Sequence, residues 1–132
     1  MKLVGFIKEY NDVEGASCLD DLLDSNRCIE VDVEKILQYI SQGVLLSCWM
    51  GYFIDVRTKE LIAPDSYFTD GTWVWPAYFP YYLRSHPFMP IDKEFIEDLK
   101  SKNYHFALAD EFKGHENEYE MELDKMLSSK ST

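Results

Sequence analysis

Hydrophobic residues recur at helical spacing in three short segments of this chain. Two of these segments begin with an aspartate that can cap a helix, Asp32 and Asp92, and Gly43 is a stop signal after the first. Ser17 predicts a further N-cap, for a short helix that ends around Asp24. We therefore expect one helix after Ser17, one between Asp32 and Gly43, and one after Asp92.

The middle of the chain has the pattern of strands instead. Residues 44–50 are a continuous apolar run, which predicts a central strand covered on both faces. Strand residues resume at 52–56 after Gly51, and a shorter run follows at 61–63. Residues 3–7 predict another strand near the N-terminus, short and largely buried.

An aromatic hairpin is the strongest local signal in the sequence. Asp70-Gly71 predicts a tight turn, because glycine adopts a positive φ without steric cost, and residues 67–69 and 72–75 have strand composition on either side. Pro76 ends the second strand and can open a helix. Pro80 conflicts with a regular helix here, because in the second turn it would remove a backbone donor.

Together these elements predict an α+β fold. We expect a single domain over residues 1–132, with a central antiparallel sheet of about residues 44–75 plus the N-terminal strand, packed by three to four short helices. Residues 104–108 predict a last short strand or an extended tail. Residues 110–132 predict a more loosely docked acidic helix with a frayed end at 128–132.

Composition narrows the class of protein. The chain is 46% hydrophobic and 15% aromatic, which argues against extended disorder. No apolar run approaches the roughly 18 residues of a membrane span, and the first ten residues are too short for an export signal. The cysteines Cys18, Cys28 and Cys48 have no paired spacing. We therefore expect reduced thiols and a cytoplasmic protein.

Charge is unevenly distributed. The formal net charge is −11, which disfavours nucleic acid and anionic membranes as partners. The segment from Glu9 to Glu34 has nine acidic residues and one base, Arg27, so its formal charge is −8. Such a field can steer a basic partner towards the protein. Acidity is also common in cytosolic proteins without any such partner, and both interpretations remain open.

Candidate chemistry is sparse. His115 precedes Glu118 in a helix-like segment, but a second histidine at zinc-binding spacing is missing. The six glycines are isolated, so no phosphate-binding loop is present. A Cys–His nucleophilic pair that meets only in space stays open. The sequence therefore predicts no catalytic residue, no metal site and no cofactor.

The aromatic residues of the hairpin and the following helix have two interpretations. They are Trp73, Trp75, Tyr78, Phe79, Tyr81 and Tyr82. The first interpretation is that they form part of the core, because Trp73 and Trp75 share one face of their strand and that face must be covered. Alternatively they form a contact surface, because Trp and Tyr dominate binding hot spots.

Two segments resemble a family of small bacterial proteins. They are Lys2–Glu9 and Thr69–Pro76, the second with the pattern threonine-aspartate-glycine-x-tryptophan-x-tryptophan-proline, followed by Tyr81-Tyr82 and a helix start at Asp92 to Phe95. The resemblance covers roughly residues 1–100 and excludes the acidic C-terminal segment. Pro80 departs from the regular helix expected there. The resemblance implies a role like that of immunity proteins encoded beside secreted toxins, and it implies no catalytic residue.

Two functions follow as hypotheses. The first is a non-enzymatic interaction protein that binds and neutralises a partner with a basic surface, such as a nuclease toxin domain. The alternative is a small-ligand-binding or enzymatic module that uses the Trp/Tyr surface near residues 67–82. The residues predicted to contact the partner are Asp12, Glu14, Asp20, Asp21, Asp24, Trp73, Trp75, Tyr78, Tyr81 and Tyr82.

Overall fold

A four-stranded sheet and five helices make up the protein in a computed structural model that describes residues 1–26 and 30–128. The elements are β1 (Lys2–Leu3), α1 (Leu19–Asp24), α2 (Val33–Ile40), β2 (Val44–Ile54), β3 (Leu61–Thr69), β4 (Trp73–Pro76), α3 (Tyr78–Ser85), α4 (Lys93–Ser101) and α5 (Glu116–Ser128). The α+β class is confirmed. Arg27, Cys28 and residues 129–132 of the predicted frayed end lie outside the described part of the chain, whereas Ser128, also predicted to fray, is the last residue of α5.

The sheet is mixed rather than wholly antiparallel. Its strand order is β1-β4-β3-β2. β2 pairs antiparallel with β3, and β3 pairs antiparallel with β4. β1 lies parallel to β4, with Lys2 opposite Trp73 and Leu3 opposite Val74. Only hairpin-connected strands are forced to be antiparallel, and two helices and two strands separate β1 from β4 along the chain.

β2 differs most from its prediction. It runs without interruption through both predicted strands and lies at the edge of the sheet, so it is not a central strand covered on both faces. Leu46 and Phe53 are buried, whereas Met50 is 99% exposed. Gly51 has φ +100°, and the pairing register shifts between Cys48 and Tyr52. This irregularity is a bulge at Gly51.

The predicted hairpin is present between β3 and β4. Thr69 pairs with Val74, and Gly71 has φ +95° in the turn. Pro76 ends β4, and α3 begins two residues later. Pro80 is the third residue of α3, where a backbone N–H has no intrahelical acceptor in any case. The expected conflict is therefore resolved by the register of the helix.

Two of the three predicted helix caps are confirmed. The Asp32 carboxylate accepts from the Lys35 N–H at 3.2 Å, and the Asp92 carboxylate accepts from the Glu94 N–H at 2.8 Å. The Ser17 cap is wrong. The first N–H of α1, that of Leu19, donates instead to the carboxylate of Glu9 at 2.9 Å. A contact between loops brings Glu9 there, so local sequence does not show it.

The ends of the chain are less regular than predicted. β1 is only two residues long, and Ile7 forms an isolated bridge with Ser17. Residues 105–109 belong to no helix or strand, so the predicted last short strand is wrong for this segment. α5 is held by the fully buried Leu123 and by a 2.7 Å hydrogen bond from the Ser47 hydroxyl to the carboxylate of Asp124.

Candidate functional site

The two tryptophans of the hairpin lie in the core. Trp73 is 2% exposed and Trp75 is 1% exposed, and the indoles of both lie close to the ring of Phe95, with ring centroids 5.2 and 6.4 Å away. Tyr78 and Tyr82 are equally buried. The prediction that these four residues form a partner-binding surface is therefore corrected, and the core interpretation holds for them.

The Thr-Asp-Gly segment shapes the turn that positions the tryptophans. The Asp70 carboxylate accepts from the N–H groups of Thr72 and Trp73 at 2.8 and 2.7 Å. The hydroxyl of Thr69 accepts from the Gly71 N–H and donates to the carbonyl of Trp73 at 2.7 Å. The Thr-Asp-Gly segment therefore has a structural role, since the side chains of Thr69 and Asp70 bond to the backbone of their own turn.

A buried chain of hydroxyl and amide groups holds the N-terminal segment against α3. The Tyr78 hydroxyl accepts from the Ile7 N–H and donates to Oδ1 of Asn11, both at 2.8 Å. The amide of Asn11 donates in turn to the hydroxyl of Tyr67 at 2.8 Å. Burial raises the pKa of Tyr78 and of Tyr67 well above their usual value. Both hydroxyls therefore stay protonated and serve the fold rather than acid–base chemistry.

The remaining predicted aromatic, Tyr81, lies at the boundary of the core. It is half-buried, and its hydroxyl donates to Oδ2 of Asp55 at 2.7 Å. The other oxygen of Asp55 accepts from the Arg57 N–H at 2.8 Å. The hydrogen bond from Tyr81 to Asp55 raises the pKa of Tyr81. Through Asp55, the side chain of Tyr81 therefore stabilises the turn between β2 and β3.

Two of the predicted acidic residues lie beside this turn. The carboxylate of Asp20 forms an ion pair with the guanidinium of Arg57, and Asp24 and Asp55 also lie close enough to help raise the Arg57 pKa. Glu60, in the same turn, is exposed. We call Asp20, Asp24 and Glu60 the acidic rim. Asp20 and Asp24 come from α1 and Glu60 comes from the β2–β3 connection, so the rim forms only in the folded protein.

The other predicted acids are exposed, and they are not part of the rim as defined. They are Asp12, Glu14 and Asp21. Glu14 lines a separate cavity of about 810 Å³, between the N-terminal segment and the linker that contains Met89. Two further acids of the −8 segment, Glu9 and Asp32, cap helices. The predicted acidic surface is therefore divided, and only part of it lies next to the hairpin of β2 and β3.

Large apolar side chains are exposed on that hairpin. We call them the hairpin patch: Trp49 (42% exposed), Met50 (99%), Tyr52 (61%), Ile54 (47%) and Leu61 (64%). Tyr52 and Ile54 flank the buried Phe53, as the alternation of a strand requires, and Ile54 pairs with Leu61 across the hairpin. None of these five side chains is covered by another part of the described residues to the point of burial.

Sequence reasoning missed this surface. A continuous apolar run is typical of a strand covered on both faces, and residues 44–50 have such a run although β2 lies at the edge of the sheet. The available signal was Gly51, because a bulge typically marks an edge strand. Cys48 is also exposed, although the predicted central strand of residues 44–50 would have covered it.

An apolar groove of about 490 Å³ adjoins the patch, between the sheet and the helices α2 and α3. We call it the hairpin groove; its lining includes Ile40, Leu45, Cys48, Pro64, Phe68 and Pro80. Two serine hydroxyls also line it. That of Ser66 donates to the carbonyl of Pro64 at 2.9 Å, and that of Ser41 donates to the carbonyl of Gln38 at 2.7 Å.

Metal chemistry finds little support in the described residues. Within residues 1–26 and 30–128, no group of three or more His, Cys, Asp or Glu side chains is placed to hold a metal ion. His115 lies 3.3 Å from the carboxylate of Glu118 on an exposed helical face. None of the described helices is long and apolar enough to cross a membrane.

The fold and its surface define an α+β protein with an exposed, apolar edge hairpin. A scan against models of protein families finds no match, and searches of curated proteins and of solved structures find no similar chain. Function therefore has to be argued from the hairpin patch, the acidic rim and the hairpin groove.

Proposed function

We propose that this protein is a non-enzymatic binding domain for a protein partner with a basic surface. The observation that carries the proposal is the hairpin patch, where five large apolar side chains are exposed on one hairpin. Exposed apolar patches of this kind on folded proteins mark interaction sites. Trp and Tyr, both present in the patch, are enriched among binding hot spots.

The acidic rim supports a basic partner. Asp20, Asp24 and Glu60 border the turn that ends the hairpin. A net charge of −11 also disfavours a second copy of the same chain on this surface, because like charges repel. Charge complementarity of this kind raises the association rate more than the final affinity.

The specific role we propose is that of an immunity protein that neutralises a basic toxin domain, such as a nuclease. This part of the proposal rests on the family resemblance of residues 1–100 and on the acidic charge. Binding alone would serve this role, because covering the active surface of a toxin inhibits it. A cytoplasmic location agrees with such a role.

The test uses the product of the reading frame adjacent to the gene of this protein. The wild-type chain should bind that product with an association rate that falls steeply between 50 and 500 mM salt. The double variant Tyr52→Ser and Ile54→Ser should bind at least tenfold more weakly. The variant Asp20→Asn and Asp24→Asn should associate more slowly with a smaller dependence on salt.

The matched controls are substitutions away from the hairpin. Asp110→Asn removes an exposed charge whose side chain is 97% accessible, and Met121→Ser removes an exposed apolar side chain from α5. Both should leave binding unchanged. Equal losses of affinity in the control and hairpin variants, or an association rate that does not depend on salt, would count against the proposed surface.

A small-ligand module is the second candidate, because the hairpin groove lies beside Cys48 and Trp75. Its volume is within the roughly 300–1,000 Å³ of small-molecule sites. The sequence predicts that such a module would use the Trp/Tyr surface near residues 67–82, and most of those side chains are buried. A ligand that co-purifies with the protein and is displaced by filling the groove would favour this candidate over the first.

A further inference from the structure

The hairpin groove has a chemistry that selects its occupant. Apart from Ser41 and Ser66, its side chains are apolar or the thiol of Cys48. The hydroxyl protons of both serines are engaged by nearby backbone carbonyls of the protein itself. A charged or strongly polar group entering the groove would lose its hydration without finding matching partners there. The groove therefore suits an uncharged apolar group.

The groove is continuous with the hairpin patch through β2 and β3. Leu45, Cys48 and Pro64 line the groove, and Pro64 pairs across the hairpin with Tyr52 of the patch. Leu45 is itself 55% exposed. A protein that lies on the patch therefore passes the mouth of the groove. Apolar anchor residues that fill such pockets carry most of the affinity of protein interfaces.

We infer that the hairpin groove is the anchor pocket of the interface and receives one aromatic or aliphatic side chain from the basic partner. This inference rests on the proposed function and adds the chemistry of the residue recognised. The partner then combines an apolar anchor in the groove with basic residues on the acidic rim. Two features, one apolar and one basic, would give the interface its specificity.

Amino-acid amides test the pocket without the partner. The ¹⁵N-labelled full chain is titrated with N-acetyl-tryptophanamide, N-acetyl-leucinamide and N-acetyl-lysinamide. We expect saturable shifts of the Leu45, Cys48 and Phe68 amides and of the Trp75 indole with the first two compounds, at millimolar concentration. The lysine compound should bind at least tenfold more weakly. Equal responses to all three, or no saturable shift at these groups, would overturn the inference.

Cys48 allows the groove to be filled without a new side chain. In a Cys18→Ser, Cys28→Ser background, N-ethylmaleimide modifies Cys48 alone. The matched control, Cys28→Ser with Cys48→Ser, is modified at Cys18, which is also exposed. Modification at Cys48 should abolish the shifts, and modification at Cys18 should leave them intact.

The same two modified proteins separate this inference from the proposed function. Modification of Cys48 should weaken binding of the basic partner at least tenfold, whereas modification of Cys18 should not. If the patch substitutions weaken binding of the partner but modification of Cys48 does not, the anchor pocket is wrong and the proposed function stands. If neither the patch substitutions nor modification of Cys48 weakens binding of the partner, the proposed function is wrong as well.

Discussion

The hydroxyl of Tyr39 donates a 2.6 Å hydrogen bond to Oδ2 of Asp70 and so joins α2 to the turn between β3 and β4. Both side chains are buried, Tyr39 at 0% and Asp70 at 1% exposure. The other oxygen of Asp70 accepts from two backbone N–H groups of its own turn. A buried carboxylate needs such donors, because an unsatisfied one is costly. Burial beside Asp70 raises the pKa of Tyr39 far above its usual value.

The first prediction follows from this bond. Tyr39→Phe should lower the free energy of unfolding by about 1–3 kcal/mol, because Oδ2 of Asp70 loses its donor in a buried site. Urea denaturation followed by tryptophan fluorescence measures this change. Tyr52→Phe is the matched control, because Tyr52 is 61% exposed, and it should change stability by less than about 0.5 kcal/mol. Similar losses in both variants would contradict the structural role of the bond.

The second prediction concerns two glycines with similar backbone angles. A Cβ on Gly71 (φ +95°) would lie 2.8 Å from the Cβ of Ala109, whereas a Cβ on Gly114 (φ +85°) meets nothing within 4 Å. Gly71→Ala should therefore cost about 1–3 kcal/mol more than Gly114→Ala, because overpacking adds to the backbone strain that the two share. Thermal unfolding of both variants gives the difference. Equal melting temperatures would show that the approach of Ala109 to the turn is not tight.

The third prediction concerns the pH dependence of Asp65. Its Oδ1 is buried with no hydrogen-bond partner among the described residues, and burial raises the pKa of Asp65. A raised pKa in the folded state means that Asp65 stabilises the fold relative to the unfolded chain at low pH and loses this advantage as it ionises. Asp65→Asn should therefore raise the free energy of unfolding at pH 7.

The gain should disappear at about pH 3, where Asp65 is protonated in both states. Chemical denaturation at several pH values follows the difference between variant and wild type. The control Asp12→Asn removes an exposed charge and should show no such trend. A difference that persists unchanged at low pH would mean that ionisation of Asp65 is not its source.

The fourth prediction concerns the cap of α1. Glu9→Ala should lower stability by about 1 kcal/mol, because both carboxylate oxygens of Glu9 accept from the Leu19 N–H, at 2.9 and 3.2 Å. α1 has only six residues and depends on such help. Hydrogen exchange of the α1 amides should accelerate in this variant and stay normal in Glu14→Ala, which removes an exposed acid from the same region. Unchanged hydrogen exchange of the α1 amides in both variants would show that Glu9 does not cap α1.

Local signals were enough for the elements and for several of their ends. Asp32 and Asp92 cap helices because the acceptor and the N–H lie within one turn of chain. The turn at Asp70-Gly71 likewise depends on neighbouring residues. The cap by Glu9 and the parallel pairing of β1 with β4 join distant residues. No pattern of neighbouring residues contains that information.

The candidate site was only partly predictable for the same reason. Composition indicated an acidic protein rich in aromatic residues, and two of the predicted acids, Asp20 and Asp24, do lie beside the exposed hairpin. The aromatic residues predicted for the surface are largely core, and Trp49 and Met50 of the hairpin patch fell in the strand predicted to be covered on both faces. Aromatic and apolar residues have the same pattern in both places, since burial depends on what packs against a strand.

The sequence by itself determined the α+β class, the aromatic hairpin and the acidic charge, because periodicity, turn chemistry and charge are properties of neighbouring residues. The tertiary structure decided that β2 is an edge strand and that Trp73 and Trp75 lie inside. It also decided which acids meet the hairpin. The order of strands in a sheet is set by contacts between distant segments, and that order determines which apolar faces remain exposed for a partner.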